Sequence, residues 1–169
     1  MVYWFQETFS SASEQANLFS ILVSTLLAVS LLLANQWFNT RKAKRELIIS
    51  KIEELLINTY AYERQCLDVL SRLYNLPPNQ QETIDKMAQS VELADKIEML
   101  CALYFSNIDF KSGNSQSILL KVHNQFDAVE LGNDYPKNKY LSYSQSTNEL
   151  RNIIDPLKSE MKGLMKEHT

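Results

Sequence analysis

Few side chains here are of the kind that move protons, hold metals or attack carbonyls. The only histidines are His123 and His168, and the only cysteines are Cys66 and Cys101. None of the four has a Cys or His partner at metal-ligand spacing, so no zinc site, and no metal or other cofactor, is expected. There is neither a glycine-rich phosphate loop nor a GxSxG elbow. Glu53-Glu54 and the acids from Asp85 to Asp95 recur at helical spacing and read as solvated helix faces. Lys111 and the stretch Lys137–Tyr140 are basic or aromatic loop positions, too sparse for a nucleic-acid footprint. A net charge of -3 predicts no field strong enough to gather nucleic acid. Cys66 and Cys101 read as small buried apolar residues, since free cysteine is among the most buried residue types. No catalytic residues are expected, and the chain reads as a non-enzyme.

What the sequence does offer is a membrane segment. No charged side chain occurs from Gln15 to Thr40, and Leu18 to Ala34 reads LFSILVSTLLAVSLLLA. About 20 mostly apolar residues in a helix cross the ~30 Å hydrocarbon core. The preceding residues carry Glu7 and Glu14 but no Lys or Arg, unlike the basic start of a cleaved signal peptide. Arg41, Lys42, Lys44 and Arg45 follow the apolar run directly. Basic residues beside a span stay on the cytoplasmic side. The pattern therefore predicts an extracytoplasmic segment 1–14, a transmembrane helix 15–40 and a cytoplasmic part 41–169. Trp37 and Phe38 stand at the inner interface, and Tyr3, Trp4, Phe5 and Phe9 fit the outer one.

One face of the span is unusual. At about 100° per residue, Ser10, Ser13, Asn17, Ser20, Ser24, Ala28 and Asn35 fall within about 60° of one line. Leu31 is the one bulky apolar side chain on that face; the other faces are Leu, Ile, Val and Phe. Lipid gives no reason to gather small and polar groups on one stripe. Two roles fit: close helix–helix packing with hydrogen bonds across the contact, or the lining of a pore built from several copies. No ionisable residue lies inside the span, which argues against a proton relay or voltage sensor.

Downstream, the chain reads as all-α, with only 3 Gly and 4 Pro to interrupt it. Neither occurs between Asn39 and Leu76, which predicts one helix running from the span into the cytoplasmic part. Ile48, Ile52, Leu55, Leu56, Tyr62, Cys66, Val69, Leu70 and Leu73 form its apolar positions. Pro77-Pro78 ends it. Asn79 with Glu82 resembles a capping box and opens a second helix, 80–106, with Ile84, Met87, Val91, Ala94, Ile97, Cys101 and Tyr104 inward. A loop over 107–117, a third helix over 118–131, a turn at Gly132, Asn133 and Pro136, and a fourth helix over 137–166 complete the pattern. Pro156 should kink or split the last. Four amphipathic helices with short connections predict an antiparallel bundle.

A charge-free span, the RKAKR flank at 41–45 and a small all-helical domain together resemble the membrane accessory proteins of type VI-B CRISPR loci, a degenerate branch of the HEPN helical-bundle group. The likeness is one of architecture over the whole chain. It implies a HEPN-like bundle, a homo-oligomer forming a membrane pore in phage defence at a bacterial inner membrane, and an RNA-guided effector as protein partner. HEPN ribonucleases carry an Arg followed four to six residues later by His. The nearest candidate here is Arg151-Asn152 in RNIIDPLK, which reaches Leu157 and Lys158 where the His is needed. Without that histidine, RNA cleavage loses its acid–base group. Two functions remain open on the residues. One is a self-associating membrane effector with Ser13, Asn17, Ser20, Ser24, Ala28 and Asn35 toward a common axis. The other is an anchored module whose bundle recruits a cytoplasmic partner.

Overall fold

In the computed structural model the described residues are 11–74, 80–130 and 139–168, without the side chains of 80, 127–130 and 139–141. They form four helices: α1 (Ala12–Tyr74), α2 (Gln80–Tyr104), α3 (Ser112–Glu130) and α4 (Lys139–His168). No strand occurs among the described residues, so the chain is all-α as its patterning requires. Tyr3, Trp4, Phe5, Phe9, Ser10, Pro77-Pro78, Asn79, Gly132, Asn133, Pro136 and Lys137 lie outside the described residues. Two compact units are distinguished, one ending at Glu46 and one comprising Leu47–Thr169.

In the first unit, α1 starts at a reciprocal cap. Glu14 N–H donates to Ser11 Oγ at 3.3 Å, and Ser11 Oγ donates to the Glu14 carboxylate at 2.8 Å. This Ser-x-x-Glu box satisfies donors that a helix start leaves open. The helix then runs through the apolar stretch and through 39–48 without a break.

In the second unit, cross-helix contacts set the topology. Arg72 Nη1 meets Glu82 at 2.6 Å, Gln65 Nε2 donates to the Lys86 carbonyl at 3.1 Å, and Lys51 Nζ lies 5.4 Å from the Tyr104 ring centre. Rising numbers on α2 meet falling numbers on α1, so the two are antiparallel. Tyr62 pairs with Ser115 and Tyr74 with Phe126, which makes α3 parallel to α1. Tyr74 pairs with Ser146 and Glu63 with Lys158, which makes α4 antiparallel to it. The result is an up-down-up-down bundle around Ile52, Leu55, Ile97, Leu119, Leu150 and Ile154, all fully buried.

A buried chain of hydrogen bonds crosses that core, and its proton positions follow from elimination. Ser115 Oγ donates to the Ser112 carbonyl at 3.0 Å, so the Tyr62 hydroxyl is the donor in its 2.7 Å bond to Ser115. Gln116 Nε2 then donates to the Tyr62 oxygen at 3.1 Å and to Ser90 Oγ at 3.2 Å. Ser90 Oγ passes its proton to the Met87 carbonyl at 2.7 Å. One network thus joins α1, α2 and α3. Buried polar groups cost little when each is paired in this way.

Three expectations are corrected. The loop predicted over 107–117 ends at Lys111, and Ser112–Ser117 already belong to α3. The cause is a cap from another helix: Ser112 N–H donates to Glu98 Oε1 at 2.6 Å, and Ser115 and Ser117 bond back to carbonyls three residues earlier. On α2, Ile84, Val91 and Tyr104 face outward, 48%, 43% and 38% exposed, while Thr83 and Ser90 are buried. The hydrogen bond that Ser90 receives from Gln116 lets α2 turn a polar side inward. Of the two outcomes expected at Pro156, the split does not occur: α4 runs unbroken across it. Leu150, Ile154, Leu157 and Met161 are buried on both sides of the proline and hold the helix through the missing bond.

The Glu98 bond to Ser112 lowers that carboxyl below its ordinary value. A depressed carboxylate contributes its stabilisation above its unfolded pKa and loses it as pH falls through the folded one. Amide-exchange protection in the first turn of α3 is therefore expected to fall once the pH drops below the ordinary Glu range of about 4.3. In Glu98→Gln, whose amide oxygen still accepts, that local pH dependence should vanish; persistence of the same profile would show the cap is not its source.

Candidate functional site

The apolar stretch of α1 meets the length and composition of a membrane-crossing helix, and none of it is buried inside the chain. A core helix of a water-soluble domain passes the first test and fails the second. All the stripe residues described, Ser13, Asn17, Ser20, Ser24, Ala28 and Asn35, are exposed.

Their hydrogen bonds divide the stripe in two. In the later part, Ser24 Oγ donates back to the Ser20 and Ile21 carbonyls at 2.8 and 3.0 Å, and Thr25 does the same to Ile21 at 2.7 Å. Asn39 Nδ2 donates to Asn35 Oδ1 at 3.3 Å. In the earlier part, the Asn17 amide and the Ser20 hydroxyl make no side-chain hydrogen bond among the described residues. An unpaired amide or hydroxyl is costly away from water, by several kcal/mol in hydrocarbon. Asn17 and Ser20, one turn apart, are thus where the helix still needs a partner.

At the other end, the Arg41 guanidinium lies 4.0 Å from the Trp37 ring centre, and Trp37 packs edge-on against Phe38. A ring suited to the headgroup level is therefore coupled to the first cation of the basic cluster. Lys42 makes a long, exposed ion pair with Glu46 at 3.8 Å. Lys44 and Arg45 are exposed. Neither the Arg41–Trp37 contact nor the Ser11–Glu14 cap is named from the sequence, although the i,i+4 spacing and the Ser-x-x-Glu order carry the signal for them.

Arg151 and Lys158, the ends of the incomplete Arg–His pattern, both point to Glu63 on α1. Lys158 Nζ lies 2.6 Å from Glu63 Oε2 and 2.9 Å from Asp155 Oδ1, with the Tyr60 ring centre 5.2 Å away. Arg151 Nε reaches Glu63 at 3.9 Å, and Asn152 is exposed. Burial works to lower the Lys158 pKa, but the bonds from Glu63 and Asp155 outweigh it and raise it overall. A lysine held charged in this way is no general base near neutral pH. The sequence named Arg151 and Lys158 but not Glu63, which is 88 positions from Arg151 and joined to it only by folding.

Cys66 and Cys101 are both buried. Burial raises the Cys66 thiol to about 12 and the Cys101 thiol to about 11, so both stay protonated and unreactive. Among the described residues no three His, Cys, Asp or Glu side chains converge on a metal position. Lys111 is paired with Asp109 at 3.1 Å.

Removing one partner of a nearly buried pair strands the other charge. The side chains of Lys158 and Glu63 are only 11% and 15% exposed, whereas Arg151 is 51% exposed. Glu63→Ala should lower unfolding free energy by about 2–4 kcal/mol and Arg151→Ala by less than about 1 kcal/mol, read from urea midpoints in detergent. Equal losses would mean that Glu63 acts through Arg151 instead.

No protein-family model, curated protein or solved structure matches the chain.

Proposed function

We propose that this chain is a single-pass membrane protein whose N-terminus faces out, whose bundle is cytoplasmic, and whose spans self-associate into a permeability pathway. One observation carries the reading: an exposed apolar helix bears a stripe on which the Asn17 amide and the Ser20 hydroxyl make no side-chain hydrogen bond among the described residues. Another copy of the stripe, or water held between copies, supplies partners; lipid does not. The cluster Arg41, Lys42, Lys44 and Arg45 supplies the orientation. No step of this reading needs chemistry at an active site, so the protein acts as an effector without catalysis. The resemblance to the accessory proteins of type VI-B CRISPR loci would make the trigger an RNA-guided effector and the setting phage defence at a bacterial inner membrane.

A second reading rests on a different observation. Leu47–Thr169 is a compact unit with its own core, and α2 leaves Met99 and Leu103 54% and 67% exposed. In that case the span is a tether and the bundle recruits a cytoplasmic protein.

The two readings separate in reconstituted vesicles. Ser20→Leu and Ser24→Leu should cut ion flux about tenfold or more while leaving membrane insertion intact, because each places a bulky apolar side chain on the stripe. Exchange of residues 15–40 for an unrelated apolar span should abolish flux. Unchanged flux in both leucine variants would refute the pathway, and full activity after the exchange would favour the tether.

A further inference from the structure

In the first unit, the residues that end the apolar stretch are ordered both along α1 and around it. At about 100° per residue, Leu26, Leu33, Trp37, Arg41 and Lys44 fall within about 40° of one line. That line stands about 160° from Asn35, on the side of the helix away from the Ser–Asn stripe. All five side chains are exposed. Along the axis the order is apolar, then aromatic, then cationic. Leu33, Trp37 and Arg41 succeed one another at intervals of about 6 Å.

The charges divide between the same two sides. The four cations from Arg41 to Arg45 have one carboxylate beside them, Glu46. Glu46 pairs with Lys42 at 3.8 Å, and both lie within about 20° of the stripe line through Asn35. Arg41 and Lys44 make no ion pair among the described residues. They are three positions apart and so are neighbours on the helix surface. Arg41 has its guanidinium carbon 4.0 Å from the Trp37 ring centre, which leaves its N–H donors without an anion. The side away from the stripe therefore presents two cations with no counter-charge, next to open aromatic and apolar surface. A free phosphate answers the charge and leaves Leu26, Leu33 and Trp37 uncovered. A zwitterionic lipid covers them but brings a cation of its own. A phospholipid of net negative charge does both.

Resting on the membrane-spanning reading above, we infer that this side of α1 is a binding site for an anionic phospholipid. Its phosphate sits between Arg41 and Lys44, its ester level beside Trp37, and an acyl chain along Leu33 and Leu26. Lys42, on the stripe side and paired with Glu46, takes no part.

The full-length chain, reconstituted in phosphatidylcholine vesicles with a trace of spin-labelled phosphatidylglycerol or phosphatidylcholine, provides the test. Electron spin resonance reads the motionally restricted fraction of each label at fixed ionic strength. The chain should hold phosphatidylglycerol about threefold or more over phosphatidylcholine. Arg41→Gln combined with Lys44→Gln should bring that ratio to about one, whereas Lys42→Gln should leave it within a factor of about 1.5. Exchange of chloride for about 10 mM inorganic phosphate at the same ionic strength should not change it. A ratio near one in the unaltered chain, no fall in the double variant, an equal fall in Lys42→Gln, or displacement by phosphate would overturn the site. Flotation of the vesicles keeps two failures apart. A chain that floats without lipid preference overturns the site alone, and one that does not float overturns the spanning reading with it.

Discussion

The demand that governs this molecule is the cover its first helix lacks. Phe19, Leu22, Leu26, Leu27, Leu32 and Leu33 each leave more than half of their surface open. Full burial of one such side chain is worth about 1.5–3 kcal/mol. Six of them left half-covered in water amount to a deficit on the order of 5–10 kcal/mol, as large as the net stability of an ordinary domain. No packing among the described residues makes up that sum. In the proposed membrane setting, hydrocarbon covers the Leu, Ile, Val and Phe faces. It does not serve the Asn17 and Ser20 groups, and the reading of self-association follows from that mismatch.

The bundle follows the opposite rule at its centre, where Tyr62, Ser115, Gln116 and Ser90 turn polar groups inward and pair them. Tyr62 is the junction, donating to Ser115 and accepting from Gln116, which also reaches Ser90. Burial raises the Tyr62 pKa, so the phenol stays a donor and the direction of the chain is fixed. A network of this sort discriminates between registers more sharply than apolar contact does. Sliding α3 by one turn would strip the Tyr62 hydroxyl and the Gln116 amide of their partners at once, leaving Ser115 and Ser90 only the bonds within their own helices. The Tyr74 ring repeats the pattern at the far end, edge-on to Phe126 and Tyr143 and bonded to Ser146.

Much of this was legible in residue order, for reasons that differ by element. The four helices, with no strand among the described residues, followed from apolar spacing and the scarcity of Gly and Pro. Ile52, Leu55, Cys66 and Val69 fall on the buried face of α1 as their period requires. Ile84 and Val91 did not follow, because α2 spends its inward positions on Thr83 and Ser90, and spacing by hydrophobicity cannot see a serine whose partner is on α3. The start of α3 was misplaced for a related cause: Ser, Gly and Asn read as loop formers, while Glu98, fourteen positions away, caps them into a helix. Sequence also missed Glu63, which turns the incomplete Arg–His pattern into a structural clasp. In each case the deciding partner is remote in the chain, where local patterns carry no information about it.

The cap formed by Ser11 and Glu14 has a consequence for the bilayer this helix suits. Glu14 is the last charge before the apolar stretch and Arg41 the first after it, 27 positions on. At about 1.5 Å per residue they stand about 40 Å apart, close to the ~40–45 Å thickness of a bilayer with its headgroups. In the proposed span, the bonds between Ser11 and Glu14 close the first turn of the described helix and mark where it starts. A thicker or thinner membrane must then be met by tilt or by local deformation of the lipid. Under the proposed membrane reading, acyl-chain length thus becomes a variable that acts on this helix mechanically.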